Sequence, residues 1–371
     1  MRPIPAPSRP DAAYQELVQR MEMLERKKLS EVIPKAYFEP RLARSMIGFL
    51  SSYLLYGGSV AALALVPNWL FYLPLWMAAG LGGWGLHCIA HDCGHGSFSK
   101  SKRVNNWVGH LSLLPMVYPF HSWRHVHNLH HGATNSLEQD TDWRPIDPET
   151  FRRMPFLSRL NYASNRTVLF LFGTVAYWAI SGFRPSFFPP RHMQQEVRRS
   201  ILFVVLVCGA YIGALTYFTG LSGYFLYFVG PWAAIHIWFS ITTLMHHTSE
   251  DVPFLVREHW RRTGSRLLLT TDYRYPRWLH FLTHNISIHT AHHVAPKMPS
   301  YNLPKATEVL KQAYPGMIRE HDFSVAKLWR IVTRCHLYDP ETGYYKSFFS
   351  RHETTASPLH EAFIAVTDKA N

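Results

Sequence analysis

From Ser45 through His91 the chain contains no Asp, Glu, Lys or Arg, and from Ser200 through Ser249 it again contains none. The two runs are 47 and 50 residues long. As helix, at about 1.5 Å per residue, each would extend roughly 70 Å, against a bilayer hydrocarbon core of about 30 Å. Each run therefore predicts two membrane spans. Pro67-Asn68 interrupts the first near its middle and Thr219-Gly220-Leu221-Ser222-Gly223 interrupts the second, which predicts two helical hairpins with spans at about 46–66, 69–90, 200–219 and 223–245. A buried helix pair in a soluble protein can also be poor in charge, but two runs of this length favour lipid.

Neither hairpin turn carries a Lys or Arg, so all 38 basic residues fall on one side, with Arg41, Arg44, Lys100, Lys102, Arg103, Arg198 and Arg199 near the span ends. By the positive-inside bias that side is cytoplasmic. It comprises residues 91–199 and 246–350, which predicts a helical cytosolic cap, with flexible tails at 1–40 and 351–371. The formal charge of +13 then suits a cap resting on anionic headgroups, and no nucleic-acid motif competes with that reading. Two further apolar stretches, 104–123 and 167–183, are expected at the interface or as re-entrant dips, since a single crossing by either would split the cap between two sides. The N-terminus has no apolar signal-peptide core, and the C-terminal tail has no lipidation motif.

Histidine is the anomaly of composition. Of 23, nine lie between His87 and His131 and eight between His246 and His293. Within these windows HDCGH separates His91 and His95 by four. HNLHH spaces His127, His130 and His131 as i, i+3, i+4, and HTAHH does the same for His289, His292 and His293. At about 100° per residue each triplet shares one helical face. Eight imidazoles in one place would bury donors and acceptors that packing alone leaves unpaired, whereas metal ligation satisfies them. One zinc takes three or four protein ligands, so eight point to two metal ions. Imidazole suits zinc, copper, iron and nickel. The four cysteines, Cys88, Cys93, Cys208 and Cys335, show no metal-binding spacing, which argues against iron–sulfur and copper(I) sites. The zinc-protease motif HExxH is missing, because Asp92 stands where it needs glutamate.

The three boxes, HxxxH, HxxHH and HxxHH in that order, resemble those of the membrane fatty acid desaturases. The flanks AHDCGHGSFS, PFHSWRHVHNLHH, LMHHTSEDVPF and HNISIHTAHHVAPKMPSYNL are similar to the acyl-lipid omega-6 (Δ12) desaturases of cyanobacteria, and more loosely to those of plants. The likeness covers about Ile47 to Tyr314. It implies an all-α integral membrane protein of four spans whose cap holds a di-iron site, acting with oxygen to place a cis double bond in a membrane acyl chain. The eight box histidines would then act through the two irons as ligands, and a ninth ligand is expected at His247, with His246 the weaker choice.

His87, His121, His125, His284 and Asp92 are candidates to orient ligands without touching metal, as is His246 if His247 is the ligand. Glu138, Asp140 and Asp142 follow the second box, where a carboxylate can accept the free N–H of a ligating imidazole. His236, inside the fourth span, is expected to make a hydrogen bond within the helices. Trp123 and Arg124 suit either the lipid headgroup or the electron donor. The N-terminal segment is too short for a fused haem domain and the chain has no HPGG stretch, so electrons are expected from a separate ferredoxin or cytochrome. Alternatives on the same scaffold are acyl-chain hydroxylation or acetylenation, and desaturation of carrier-protein substrates. A non-enzymatic membrane metal-binding protein is the remaining rival.

Overall fold

The computed structural model describes residues 4–66 and 68–349. The chain is mostly helical, and the expected tail 351–371 lies outside the described residues. Of the expected N-terminal tail, the described residues include a packed helix. Helix α1 (Ala12–Leu24) starts where the Asp11 carboxylate accepts the Tyr14 N–H at 2.8 Å. Its Tyr14 and Met21 are 1% and 0% exposed, because they pack on the same core as the third histidine box. The contacts are remote in sequence: Tyr14 O–H meets His259 Nδ1 at 3.1 Å.

Helix α2 (Leu42–Leu65) and helix α3 (Tyr72–His95) form the first hairpin. They approach closely because α3 carries glycines, and a Cβ on Gly82 would lie 2.5 Å from the Tyr56 backbone nitrogen. α3 ends at Gly96, whose φ of 73° is left-handed and which caps the carbonyls of Asp92 and Cys93. From Ala79 to Cys93 it is buried, ringed by α2 and by helices named below. Helix α4 (Lys102–Leu113) and helix α5 (Phe120–Ala133) follow, the second starting after Pro119 and carrying HNLHH. Then come three shorter helices, α6 (Pro148–Arg153), α7 (Phe156–Arg166) and α8 (Gly173–Gly182).

The second hairpin is helix α9 (Arg191–Tyr224), broken at Gly220, a π-helical turn at Phe225–Val229, and helix α10 (Gly230–His247). Among the described residues, two segments are long and apolar enough to cross a membrane, Leu42–Leu65 and the α9–α10 stretch Arg191–His247. α10 packs along α3, so the C-terminal ends of both helices, each tipped with histidine, meet.

The remaining cap is built from α11 (Arg262–Leu268), α12 (Arg277–Leu282), α13 (His289–Val294), α14 (Leu303–Ala313) and α15 (Val325–Arg334). It also contains two small sheets, which a purely α-helical expectation misses. Strand β1 (Thr271–Arg274) runs parallel to β2 (Arg319–Asp322), with Thr271 opposite Arg319. Strand β3 (Leu337–Tyr338) pairs antiparallel with β4 (Tyr345–Lys346). The first sheet places Asp272 beside the start of α13, which matters for the site below.

Candidate metal centre

All three histidine boxes are helical, on the end of α3, on α5 and on the short α13. Their rings converge on two points. His91, His95, His127, His131 and His292 form one group and His130, His247, His289 and His293 the other, with the facing nitrogens of each group within 4.8 Å of one another. Every box helix contributes, and the second and third boxes each serve both groups.

Within the groups the Nε2 atoms face each other. His127 Nε2 lies 3.0 Å from those of both His95 and His131, and His131 Nε2 is 2.9 Å from that of His292. In the second group His247 Nε2 is 3.1 Å from His130 Nε2 and 2.8 Å from His289 Nε2, which is 3.0 Å from His293 Nε2. These cannot all be hydrogen bonds. A single Nε2 either carries a proton or offers a lone pair, so an atom meeting two such neighbours leaves one contact repulsive. A cation at the centre of each group removes the conflict. With bonds of about 2.0–2.1 Å, neighbouring ligand nitrogens stand about 3.3 Å apart in a tetrahedron and about 2.9 Å apart in an octahedron. The observed separations match the octahedral edge and groups of more than three nitrogens. His91, buried with no hydrogen bond to either ring nitrogen, fits the same account.

Burial first, and neighbouring imidazoles second, hold His95, His127, His131, His247, His289, His292 and His293 well below the usual histidine range. They are neutral, as ligands must be. His130 differs. Burial works against its cation, but the charge and hydrogen bond of Asp140 outweigh that and raise it. Its Nδ1–H reaches Asp140 Oδ1 at 2.8 Å, which leaves Nε2 as the lone-pair side facing the group.

The other candidates divide. Asp92 Oδ1 is 3.7 Å from His91 Nδ1, while Asp92 Oδ2 accepts the Ser300 N–H, tying the first box to the segment after the third. His246 lies outside both groups, stacked on the His289 ring at 4.1 Å. His87 stacks on Trp84 at 4.8 Å and has no hydrogen bond. His121 and His125 hydrogen-bond residues outside both groups: His121 meets the Asn106 side-chain amide and the Glu196 carbonyl, and His125 bonds the Glu196 carboxylate, so both fasten α5 to its neighbours. His284 is likewise turned away, bonded to Ser52 of α2 at 2.9 Å. His236 meets Thr174 Oγ1 at 3.0 Å. Glu138 accepts the Arg257 N–H, and Arg124 pairs with Glu196 at 2.8 Å. Burial raises Asp142 to about 7.

Three supporting residues escape a reading of the sequence. Asp272 Oδ1 accepts the N–H groups of His289 and Thr290 at 2.8 and 2.6 Å, capping α13. Asn135 Oδ1 meets His247 Nδ1 at 3.2 Å, and Thr134 Oγ1 meets His293 Nδ1 at 3.2 Å. Thr134 and Asn135 follow HNLHH closely in the chain, but nothing in the sequence pairs them with His293 and His247.

A cavity of about 620 Å³ opens onto the histidines, within the usual range for small-molecule sites. Its inner wall includes Trp84, His87, Trp123, Phe239 and Ile286 beside His91, His127, His130, His247 and His289, and its outer part runs between α7 and α8.

Fold and site together define a helical protein in which two adjoining histidine groups able to hold metal line a cavity that also carries Trp84, Trp123 and Phe239. Residues 67–323 match the fatty acid desaturase family model. The chain is 35% identical over 337 residues, 91% of its length, to an sn-1 oleoyl-lipid 12-desaturase of Picosynechococcus sp., covering 96% of that protein. It is 34% identical over 93% of its length to the protein of the same name from Synechocystis sp., covering 95% of it. Against the chloroplastic omega-6 fatty acid desaturase of Spinacia oleracea the identity is 34%, covering 88% of this chain and 72% of the relative. The chain belongs to the fatty acid desaturase family. It is an oxidoreductase that places a double bond in an acyl chain.

Proposed function

We propose that this chain inserts a cis double bond at Δ12 of an oleoyl group carried on a membrane lipid, using two iron ions and electrons from a separate ferredoxin or cytochrome. The observation that carries the reading is the meeting of two all-imidazole groups with a cavity walled by Trp84, Trp123 and Phe239. The names of the relatives supply the substrate and the position.

The irons would be held by His91, His95, His127, His131 and His292 on one side and by His130, His247, His289 and His293 on the other. Bound iron supplies the oxygen activation that lets an unactivated C–H bond break. The protein's own residues do the rest. Asp140 keeps the proton of His130 at Nδ1, and Asn135 and Thr134 fix the rings of His247 and His293. The aromatic wall holds hydrocarbon against the histidines and keeps water from the reacting carbons. Which methylene reacts depends on where the chain is stopped, since a displacement of one carbon changes the product.

Residues 1–371 form a single desaturase domain in this reading, with four spans in two hairpins and the cap on the cytoplasmic side. The basic face of the cap suits an acidic electron donor. Expression in a bacterium fed oleate, followed by localisation of double bonds in its lipids, tests the function. A Δ9,Δ12 diene is expected. A hydroxylated or acetylenic product, or activity confined to carrier-protein substrates, overturns the assignment.

A further inference from the structure

Helix α7 carries exposed apolar residues beside a polar stripe. Its apolar residues face outward, with Phe156 66%, Leu157 75% and Leu160 51% exposed. Its polar residues Ser158, Asn161, Tyr162 and Asn165, spaced i, i+3, i+4, i+7, line the cavity where it reaches the surface, Tyr162 and Asn165 half-buried and Ser158 and Asn161 exposed. An apolar outer face fits a helix lying in lipid. A polar stripe at the cavity mouth, away from the buried Trp84 and Phe239, offers hydrogen bonds to a polar group entering there.

We infer that this stripe of α7 binds the uncharged polar end of the lipid substrate, its ester and glycerol hydroxyl groups, and so sets the direction in which the acyl chain enters. The inference rests on the acyl-cavity reading proposed above. The hydrogen-bonding inventory supports it. Asn165 Nδ2 donates to the Asn161 carbonyl at 2.8 Å and to Asn161 Oδ1 at 3.0 Å, which fixes both amides and leaves Asn161 Nδ2 as donor and Asn165 Oδ1 as acceptor for a ligand. Tyr162 is already engaged, its O–H donating to the His336 carbonyl at 2.7 Å and its oxygen accepting the Ile146 N–H at 3.2 Å.

The same wall argues against a phosphate. Its two guanidinium groups are turned to the main chain. Arg144 donates to the carbonyls of Leu137 and Glu138, and Arg166 to those of Trp143 and Cys335. The Asp140 carboxylate, which also lines the cavity, disfavours an anion. Arg159 is on α7 but off the lining stripe. An uncharged donor–acceptor set bound to an uncharged ligand is the complementary arrangement.

The test is competition for tritiated 1-oleoylglycerol on the purified, iron-loaded full chain in detergent. Unlabelled 1-oleoylglycerol should compete at least about tenfold better than 1-oleoyl-lysophosphatidate, which differs at the head, or 9-octadecene, which has none. In the double variant Asn161→Leu/Asn165→Leu, affinity for 1-oleoylglycerol should fall about tenfold, the scale of losing hydrogen bonds to a bound polar group, while 9-octadecene binds as before. Iron content reports whether the variant folds, and the ranking of competitors on the unaltered protein tests the inference independently of it. Preference for the phosphate head, or a folded double variant that binds 1-oleoylglycerol normally, overturns it. Failure of every oleoyl ligand and of 9-octadecene to bind overturns the acyl-cavity reading itself.

Discussion

Consecutive residues on a helix point about 100° apart, so of His246 and His247 only one can face the four-nitrogen group at the end of α10. That one is His247, while His246 turns to stack on His289. The consequence for metal is sharp. His247→Ala and His292→Ala should each lose iron, measured per chain by elemental analysis, because each removes a nitrogen from one group. His246→Ala should retain close to two. Full iron in His247→Ala together with loss in His246→Ala would exchange the two roles. Asp140→Ala should weaken iron binding about 10–100-fold without removing a ligand, since it frees the His130 tautomer. Much of this was legible in the sequence, because the box spacings are local and helical. Asp272 was not, for it meets α13 only through the fold, 17 residues before His289. The same is true of Asn135, 112 residues from the His247 ring that it holds.

The helices that carry the boxes are held in place by polar contacts that titrate. His121 on α5 bonds the Asn106 side chain of α4 and the Glu196 carbonyl of α9, and its main-chain N–H donates to Ser200. Burial first, then Arg124, pushes His121 down to about 4. His110, facing it at 4.7 Å and bonded to Ser200, is also lowered by burial. A histidine with a folded value below its unfolded one takes up a proton on unfolding. The stability it contributes is therefore complete above about pH 6.5 and declines as pH falls towards about 4. The nearby Glu196, pulled below the usual carboxylate range by Arg124 against its burial, adds loss in the same direction at more acid pH. Thermal unfolding should thus shift to lower temperature between pH 7 and pH 5, and His121→Gln should flatten that dependence. Parallel curves for variant and parent would remove His121 from the account. Of the elements themselves, the first charge-free run announced the pairing of α2 with α3. α1 did not announce its packing, because its partners, among them His259 and Gly264, lie some 240 residues away. Nor did α7, whose polar stripe means nothing until the cavity is seen.

At the scale of the molecule, the metal centre constrains how the hairpins stand. Ligands come from the C-terminal end of α3, His91 and His95, and from the C-terminal end of α10, His247, so those two ends lie together. α2 is paired with α3 and α9 leads into α10 through a turn, so the hairpin turns at residues 66–71 and 220–230 are at the other ends of their helices. A membrane crossing both hairpins would then have the cap on one side and both turns on the other. The distribution of Lys and Arg, absent from both turns, predicts that the cap side is cytoplasmic. Reporters inserted near Pro145 or fused after residue 371 should accordingly read as cytoplasmic, and one inserted at Gly220 should read as the opposite side. A cytoplasmic signal at Gly220 would mean that α9 and α10 do not form a crossing pair. The histidine groups would then still require the ends of α3 and α10 to meet, and the second hairpin would have to lie in the interface instead of across the bilayer.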